Sequence, residues 1–286
     1  MSVDVVGVVG AGFMGSGIAE AVAASGRRVI VHEPDAAPLE RSRALIAASL
    51  ERAVARGKRS EQDAAELTAR IVHSTRLEDL AEAQGVIEAV TESLALKGEI
   101  FARLDAALPH ARFLASNTSS IPIADIAAHT ARPERVLGLH FFSPVPVMAL
   151  AEVVVALDTD AATVDAAEAF VRDLGKHPIR TKDRAGFIVN MLLIPYLLAA
   201  VRMFEEGFAS AQDIDRGMEL GCGHPMGPLT LADFIGLDVL ADVAESLHGE
   251  FACSEYAPPP LLRRMVAAGR LGRKRGRGFY EYASGS

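Results

Sequence analysis

The 286-residue chain has little cysteine and no cluster of the residues that usually bind metals. Its only cysteines, Cys222 and Cys253, are too few for the disulfide framework of a secreted scaffold. Neither lies at zinc-site spacing from a second cysteine or a histidine, and the eight histidines are scattered. We therefore expect no metal site, and we expect a reducing, cytoplasmic location.

The sequence also lacks long uninterrupted apolar runs and an excess of positive charge. Its longest apolar run, residues 187–201, contains Asn190 and Pro195 and is too short to span a bilayer. Residues 1–4 show no basic leader followed by an apolar segment. The formal net charge of -8 argues against non-specific binding to nucleic acid. We expect neither a membrane nor nucleic acid among its partners.

The first part of the chain alternates short β-rich runs with helix-like stretches. The β-rich runs cover residues 3–9, 29–32, 71–73, 86–90, 113–115 and 136–139. Such alternation predicts βαβ units and a mainly parallel sheet, because parallel neighbours need a crossover connection. The fold class is therefore α/β, with a doubly wound sheet of the Rossmann type.

The pattern changes near residue 183, beyond which no convincing β run occurs. Helical candidates there cover residues 187–206, 214–220, 229–248 and 261–268. We predict a Rossmann domain over residues 1–183 and an all-helical domain over residues 184–286. The apolar helices of the second domain exceed what one small domain can bury, which favours a homodimer formed through them.

A glycine-rich turn follows the first β-rich run and opens a helix. Gly10, Gly12 and Gly15 form the pattern G-x-G-x-x-G, and Glu33 ends the second β run, at about the 20-residue spacing of dinucleotide sites. The glycines allow a pyrophosphate to approach the helix N-terminus closely. Glu33 can accept hydrogen bonds from a ribose diol and repels a 2′-phosphate. The first domain is therefore predicted to bind NAD rather than NADP.

Polar residues follow two further β runs. Residues 116–120 (Ser-Asn-Thr-Ser-Ser) follow residues 113–115, and His140 follows residues 136–139. Open α/β sheets bind ligands at the carboxyl ends of their strands, which is where these residues fall. Because Ser, Thr and Asn also favour turns, position alone does not decide between a functional cluster and a capped loop.

Several motifs, in one order along nearly the whole chain, carry a resemblance to a known family. They are SNTSS at 116–120, GLHFFSPVPVM at 138–148, Glu152, GFIVN at 186–190, GHPMGP at 223–228 and GRGFY at 276–280. The chain resembles the short-chain L-3-hydroxyacyl-CoA dehydrogenases, and most of all the bacterial members that act on 3-hydroxybutyryl-CoA. The resemblance implies an oxidoreductase of fatty acid metabolism. Such an enzyme transfers a hydride between NAD and C3 of a 3-hydroxyacyl-CoA thioester.

The resemblance also implies roles for single residues. His140 is the implied general base, paired with Glu152, and Ser119 and Asn190 are implied to contact the acyl substrate. Histidine suits proton transfer near neutral pH, and a carboxylate behind the imidazole fixes its tautomer. A chain reversal near residues 143–146 would return Glu152 toward His140. The resemblance further implies that the cofactor is contacted by Glu92, Lys97 and Asn117. It implies that the CoA nucleotide is contacted by Ser49 and Arg56.

Two departures from the family leave the substrate open. Ser143 stands where the family often has Asn, and Ala149 stands where it often has Lys. The alternatives are a hydroxyacyl group on acyl-carrier protein, a sugar-acid dehydrogenase, and a non-catalytic NAD-binding sensor, which would need no acid–base pair. One basic cluster suits either the phosphates of CoA or an acidic carrier protein: Arg52, Arg56, Lys58 and Arg59. The global resemblance favours CoA.

Overall fold

A computed structural model of the chain describes residues 3–282. Residues 1, 2 and 283–286, at the outer ends of the two predicted domains, lie outside the described range. The chain divides into two compact units, Met1–Arg184 and Ala185–Ser286, one residue beyond the boundary expected from the sequence. The first unit is an α/β fold of the Rossmann type and the second is helical, so the predicted fold class is confirmed.

The first unit is built on an eight-stranded sheet, with order β3-β2-β1-β4-β5-β6-β7-β8. In chain order the strands are β1 (Val5–Val9), β2 (Arg28–His32), β3 (Ile71–Ser74), β4 (Gly85–Glu88), β5 (Phe113–Ser116), β6 (Val136–Phe141), β7 (Leu150–Val155) and β8 (His177–Lys182). All neighbours are parallel except β6 and β7, which are antiparallel. The last two strands are absent from the β runs that the sequence analysis identified.

Six α-helices accompany the sheet within the described part of the first unit. They are α1 (Phe13–Ala24), α2 (Ala36–Ala55), α3 (Glu61–Ala69), α4 (Leu94–Ala107), α5 (Ile123–Ala127) and α6 (Ala161–Asp173). Strand β1 is buried along most of its length, as expected for a central strand covered on both faces. Its apolar side chains share one core with those of α1, among them Ile18 and Val22, which are fully buried. This packing fixes the start of α1 directly after β1.

The parallel order of the central strands brings their carboxyl ends to one edge of the sheet. Gly10 follows β1, Glu33 follows β2, Ala89 follows β4 and Asn117 follows β5. His140 lies one residue before the end of β6. Residues far apart along the chain therefore meet at the edge where open α/β sheets bind ligands.

The second unit contains α7 (Val189–Glu205), α8 (Ala211–Cys222), α9 (Pro228–Ile235), α10 (Leu237–Phe251) and α11 (Pro260–Ala267). Within its described part, β pairing is limited to isolated bridges at residues 272–281. The single helix predicted over residues 229–248 is wrong, because Gly236 adopts a φ of 106° and separates α9 from α10. No helix in the described range is long and apolar enough to cross a membrane.

Two buried carboxylates hold the second unit together. Asp215 accepts hydrogen bonds from the Leu229 N–H (2.7 Å) and the Tyr280 hydroxyl (2.8 Å). Asp233 accepts from the backbone N–H groups of Phe279 and Tyr280, both at 3.0 Å, and burial raises its pKa. The terminal motif at residues 276–280 is therefore attached to the start of α9 and to its body, which gives that motif a structural function.

Candidate active site

The three glycines of the turn between β1 and α1 meet different steric requirements. A Cβ at Gly10, where φ is 104°, would lie 2.6 Å from the Ala89 carbonyl oxygen, and a Cβ at Gly15 would lie 1.9 Å from the Gly10 carbonyl oxygen. A Cβ at Gly12 would meet no atom within 4 Å. Gly10 therefore lets the turn pass close to the backbone that follows β4, and Gly15 lets α1 pack closely on the turn, while Gly12 leaves open space in front of the helix N-terminus.

That open space belongs to a cleft of about 750 Å³ at the carboxyl edge of the sheet. The cleft is lined by the glycine turn, by Glu33, by residues 89–91 after β4 and by one face of α2. The Glu33 carboxylate accepts a hydrogen bond from the Ala11 N–H at 3.2 Å, which fixes it beside the turn. Helix N–H groups at one end and a carboxylate beside them fit the pyrophosphate and ribose of a dinucleotide.

Arg41 is a further lining residue of this cleft that the sequence analysis did not single out. It lies on α2, eight residues after Glu33, and its side chain is exposed. Sequence motifs for nucleotide binding predict cofactor contacts directly after the acidic residue Glu33, where this chain has Pro34 and Asp35. Helix α2 brings Arg41 back to the cleft further along the chain. A motif defined by sequence spacing does not specify that position.

His140 and Glu152 form a buried pair at the same edge of the sheet. They are register partners on the antiparallel strands β6 and β7, and the distance between His140 Nδ1 and Glu152 Oε2 is 2.7 Å. His140 is 7% exposed and Glu152 is fully buried. The Phe142 ring packs edge-on against the imidazole, with ring centroids 4.6 Å apart. The carboxylate fixes the imidazole orientation, and Nε2 is the nitrogen through which His140 can exchange a proton with a substrate.

The turn between β6 and β7 is held by a buried lysine that the sequence analysis missed. The Lys176 ammonium donates to the carbonyl oxygens of Val145 (2.6 Å) and Met148 (2.7 Å). Burial lowers the pKa of this ammonium group. On the other side the turn packs closely on α1, since a Cβ at Gly17 would lie 3.2 Å from the Val145 Cβ. The chain reversal expected near residues 143–146 is thus a packed turn.

The loop after β5 is joined to the end of β6. The Asn117 N–H donates to the Glu88 carbonyl oxygen at 2.8 Å, and its side-chain oxygen accepts from the Phe141 N–H at 2.9 Å. Phe141 directly follows His140, so this bond couples the loop to the strand that carries the histidine. Ser119, two residues after Asn117, is half-buried in the same loop.

Glu92 and Lys97 belong to a network of charges beside this loop. The Lys97 ammonium, on a side chain 1% exposed, lies 2.7 Å from Glu88 Oε1 and 3.4 Å from Glu92 Oε2. Glu92 accepts from the hydroxyls of Thr118 and Ser120. Burial pushes the pKa of Glu92 upward, but Lys97 and the two hydroxyls outweigh it and hold the pKa below its usual value. The sequence analysis did not identify Glu88.

Two of the expected site residues lie on α2 or at its end, and a third lies in the second unit. The Ser49 hydroxyl, on α2, donates to the buried carboxylate of Glu20 at 3.1 Å, and Arg56 is exposed where α2 ends. Burial raises the pKa of Glu20, while the hydrogen bond from Ser49 opposes that shift. Asn190 belongs to the second unit, as the second residue of α7. The roles expected for Ser49, Arg56 and Asn190 stay predictions.

The first unit therefore combines a dinucleotide cleft with a buried histidine–carboxylate pair at one edge of the sheet. Within residues 3–282, no group of three or more His, Cys, Asp or Glu side chains is arranged to hold a metal ion. A nucleotide fold with an acid–base pair defines a class of protein, the nicotinamide-dependent dehydrogenases.

Comparison with known proteins identifies the family. Residues 5–184 match the NAD binding domain of 3-hydroxyacyl-CoA dehydrogenase, and residues 186–282 match its C-terminal domain. The chain is 53% identical over 280 residues to a 3-hydroxybutyryl-CoA dehydrogenase of Mycobacterium tuberculosis, covering 97% of this chain and 98% of the relative. It is 42% identical to the human mitochondrial hydroxyacyl-coenzyme A dehydrogenase, covering 96% of this chain and 90% of that one.

A solved structure agrees with these sequence matches. The (S)-3-hydroxybutyryl-CoA dehydrogenase of Ralstonia eutropha superposes with a TM-score of 0.92 at 47% identity, covering 99% of this chain and all of that one. The chain belongs to the 3-hydroxyacyl-CoA dehydrogenase family. It is an NAD-dependent enzyme of that family, as predicted, and its cofactor is NAD.

Proposed function

We propose that the protein interconverts (S)-3-hydroxybutyryl-CoA and acetoacetyl-CoA, a step of fatty acid metabolism. The observation that carries this proposal is the buried pair of His140 and Glu152 at the carboxyl edge of the sheet, the edge at which the dinucleotide cleft lies. The relatives named 3-hydroxybutyryl-CoA dehydrogenase, at up to 53% identity, indicate the acyl group. NAD, when bound, exchanges a hydride with C3 of the substrate.

His140 is the proposed general base in the oxidising direction. Its Nε2 takes the proton of the C3 hydroxyl, and the same nitrogen returns that proton when the ketone is reduced. Because Glu152 accepts from Nδ1, it fixes the tautomer that leaves Nε2 able to take a proton, and its charge stabilises the imidazolium that forms. The antiparallel register of β6 and β7 sets this geometry without a flexible loop.

Ser119 and Asn190 are the proposed contacts to the acyl substrate. Both side chains can donate a hydrogen bond to a substrate oxygen that gains negative charge during the reaction. Gly10, Gly12, Gly15 and Glu33 are proposed to bind NAD, with Asn117, Glu92 and Lys97 supporting the nicotinamide end.

CoA is the proposed carrier of the acyl group, with Ser49 and Arg56 at its nucleotide. Arg56 ends α2 and is exposed, so it can reach a phosphate, and a charge-assisted hydrogen bond to phosphate is strong. Acyl-carrier protein is the second candidate, because it presents the same thioester and the basic residues near Arg56 would suit its acidic surface.

We also propose a cytoplasmic homodimer formed through the second unit. Three of its large apolar side chains are strongly exposed, Leu192 at 72%, Phe208 at 77% and Leu220 at 78%. Exposed apolar side chains such as these can form the core of an interface between two copies of the chain. Both cysteines are free and exposed, in keeping with a reducing compartment.

The proposed activity is tested by following NADH oxidation with acetoacetyl-CoA, acetoacetyl-carrier protein and free acetoacetate. We expect turnover of the CoA thioester to the (S)-alcohol, and a raised KM for Arg56→Ala with kcat nearly unchanged. Turnover of the carrier-protein thioester alone would replace CoA by the carrier protein. Failure of every thioester would overturn the proposed reaction.

A further inference from the structure

Glu88 is a fully buried carboxylate that the proposed mechanism does not use. It is the last residue of β4, its side chain is 0% exposed, and its partner Lys97 is 1% exposed. An ion pair removed from water is costly unless both groups make further hydrogen bonds. Both members of this pair contact the backbone of Val90, and their remaining contacts lead to the loop that carries Ser119.

Each Glu88 oxygen has specific donors. Oε1 accepts from the Lys97 ammonium at 2.7 Å and from the Val90 N–H at 2.6 Å, and Oε2 accepts from the Ser116 hydroxyl at 2.6 Å. Val90 lines the dinucleotide cleft, and Ser116 is the last residue of β5. Lys97 continues to Glu92 at 3.4 Å. The carboxylate thus joins the ends of two neighbouring strands and the start of α4.

Two chains of hydrogen bonds and ion pairs, here called branches, lead from Glu88 to Thr118. Through Ser116, the first branch reaches the Thr118 N–H, which donates to the Ser116 hydroxyl oxygen at 3.2 Å. Through Lys97 and Glu92, the second reaches the hydroxyls of Thr118 and Ser120.

The loop itself closes around the Thr118 side chain. Its oxygen accepts from the backbone N–H groups of Ser120 (3.3 Å) and Ile121 (2.9 Å). Both neighbours of Ser119 are therefore fixed, whereas the Ser119 hydroxyl forms no hydrogen bond with another residue of the described range 3–282 and can bind another group.

We propose that Glu88, together with the buried charge of Lys97, is a positioning residue that holds the Ser119 loop in its reactive conformation. The proposal rests on the role proposed above for Ser119. Because Lys97 is almost fully buried, its ammonium acts on the site through Glu88 and Glu92. An amide in place of Glu88 would remove the negative charge that pairs with the Lys97 ammonium. Its N–H₂ group would face either Lys97 and the Val90 N–H, which cannot accept a hydrogen bond, or the Ser116 hydroxyl, which would have to reorient to accept one. In either orientation the ion pair on the second branch is lost.

The test compares Glu88→Gln with the matched control Asp105→Asn. Asp105 is also a buried carboxylate of the first unit, paired with Arg132 and bonded to the Ala131 N–H at 2.7 Å, and its bonds lead away from the Ser119 loop. We expect Glu88→Gln to speed amide hydrogen exchange at Thr118, Ser120 and Ile121. The control should lower the melting temperature and leave exchange in that loop unchanged.

The kinetic arm is a double-mutant cycle with Ser119→Ala, using acetoacetyl-CoA and NADH. If Glu88 acts through Ser119, Glu88→Gln lowers kcat by up to about 10²-fold in the unaltered background, the scale of a misplaced group. In the Ser119→Ala background, Glu88→Gln should lower kcat only slightly further. Asp105→Asn should leave kcat unchanged in both backgrounds.

The proposal is overturned if loop exchange is unchanged in Glu88→Gln, or if the two losses in kcat multiply as independent effects. Should Glu88→Gln fail to fold, Ser116→Ala breaks the first branch alone and is judged by the same measurements. If the unaltered enzyme does not reduce acetoacetyl-CoA, the proposed substrate is wrong. The exchange measurement still decides whether Glu88 holds the loop, so the two failures are distinguishable.

Discussion

The 2.7 Å contact between His140 and Glu152 predicts two different defects at the residue scale. His140→Ala removes the proposed base, so kcat should fall by roughly 10²–10⁴-fold, the usual scale for loss of general-base catalysis, while NADH still binds. Glu152→Gln keeps a hydrogen-bonding side chain but removes the charge that stabilises the imidazolium, so its loss should be smaller. Steady-state kinetics together with NADH fluorescence titration measure both effects. Near-normal turnover in His140→Ala would overturn the proposed mechanism.

Glu33 and Arg41 line one cleft and carry opposite charges, so we expect them to act in opposite directions on the 2′-phosphate of NADPH. We expect the unaltered enzyme to prefer NADH over NADPH, because the Glu33 carboxylate repels the added phosphate. Glu33→Ala should erode that preference, and Glu33→Ala combined with Arg41→Ala should regain less NADPH activity, since a nearby cation is lost. The ratio of kcat/KM for the two cofactors measures this. Equal values of kcat/KM for NADH and NADPH in the unaltered enzyme would contradict the role of Glu33.

At the scale of elements, the turn between β6 and β7 depends on one buried cation. Lys176→Met leaves the carbonyl groups of Val145 and Met148 without their donor, and a buried acceptor without a partner costs about 1–3 kcal/mol. We expect the free energy of unfolding in urea to fall by that amount. Lys176→Arg, which keeps a cation, should lose less. Equal stability of Lys176→Met and the unaltered protein would show that the turn does not need this ammonium.

The β–α alternation of the first unit could be predicted because each central strand is a short apolar run. Strand β8 escaped prediction because it lies at the edge of the sheet and reads His-Pro-Ile-Arg-Thr-Lys, which has little apolar character. The break between α9 and α10 escaped because the apolar pattern continues across Gly236, whereas a single positive φ ends the helix. Hydrophobic periodicity and composition predict most helices and central strands. They do not predict a polar strand at the edge of the sheet or a helix break caused by a single residue.

The candidate site divides in the same way. The positions of the glycine turn, Glu33 and His140 at the carboxyl edge of the sheet could be predicted, because each lies at the end of a recognisable strand. Glu88 and Lys176 could not, because an acidic or basic residue in sequence carries no sign of being buried. Their importance arises from tertiary contacts to Ser116, 28 residues away from Glu88, and to Val145, 31 residues away from Lys176.

At the scale of the whole molecule, the exposed apolar side chains of the second unit lead to the last prediction. Leu192, on α7, is 72% exposed, and Leu157, in the first unit, is 89% exposed. We expect the protein to sediment as a dimer at micromolar concentration and Leu192→Glu to shift it toward the monomer, because a charge cannot be buried unpaired in an interface. Leu157→Glu, the matched control, should remain dimeric. A stable monomer of the unaltered chain would disprove the proposed assembly, and dissociation by Leu157→Glu alone would place the interface on the first unit instead.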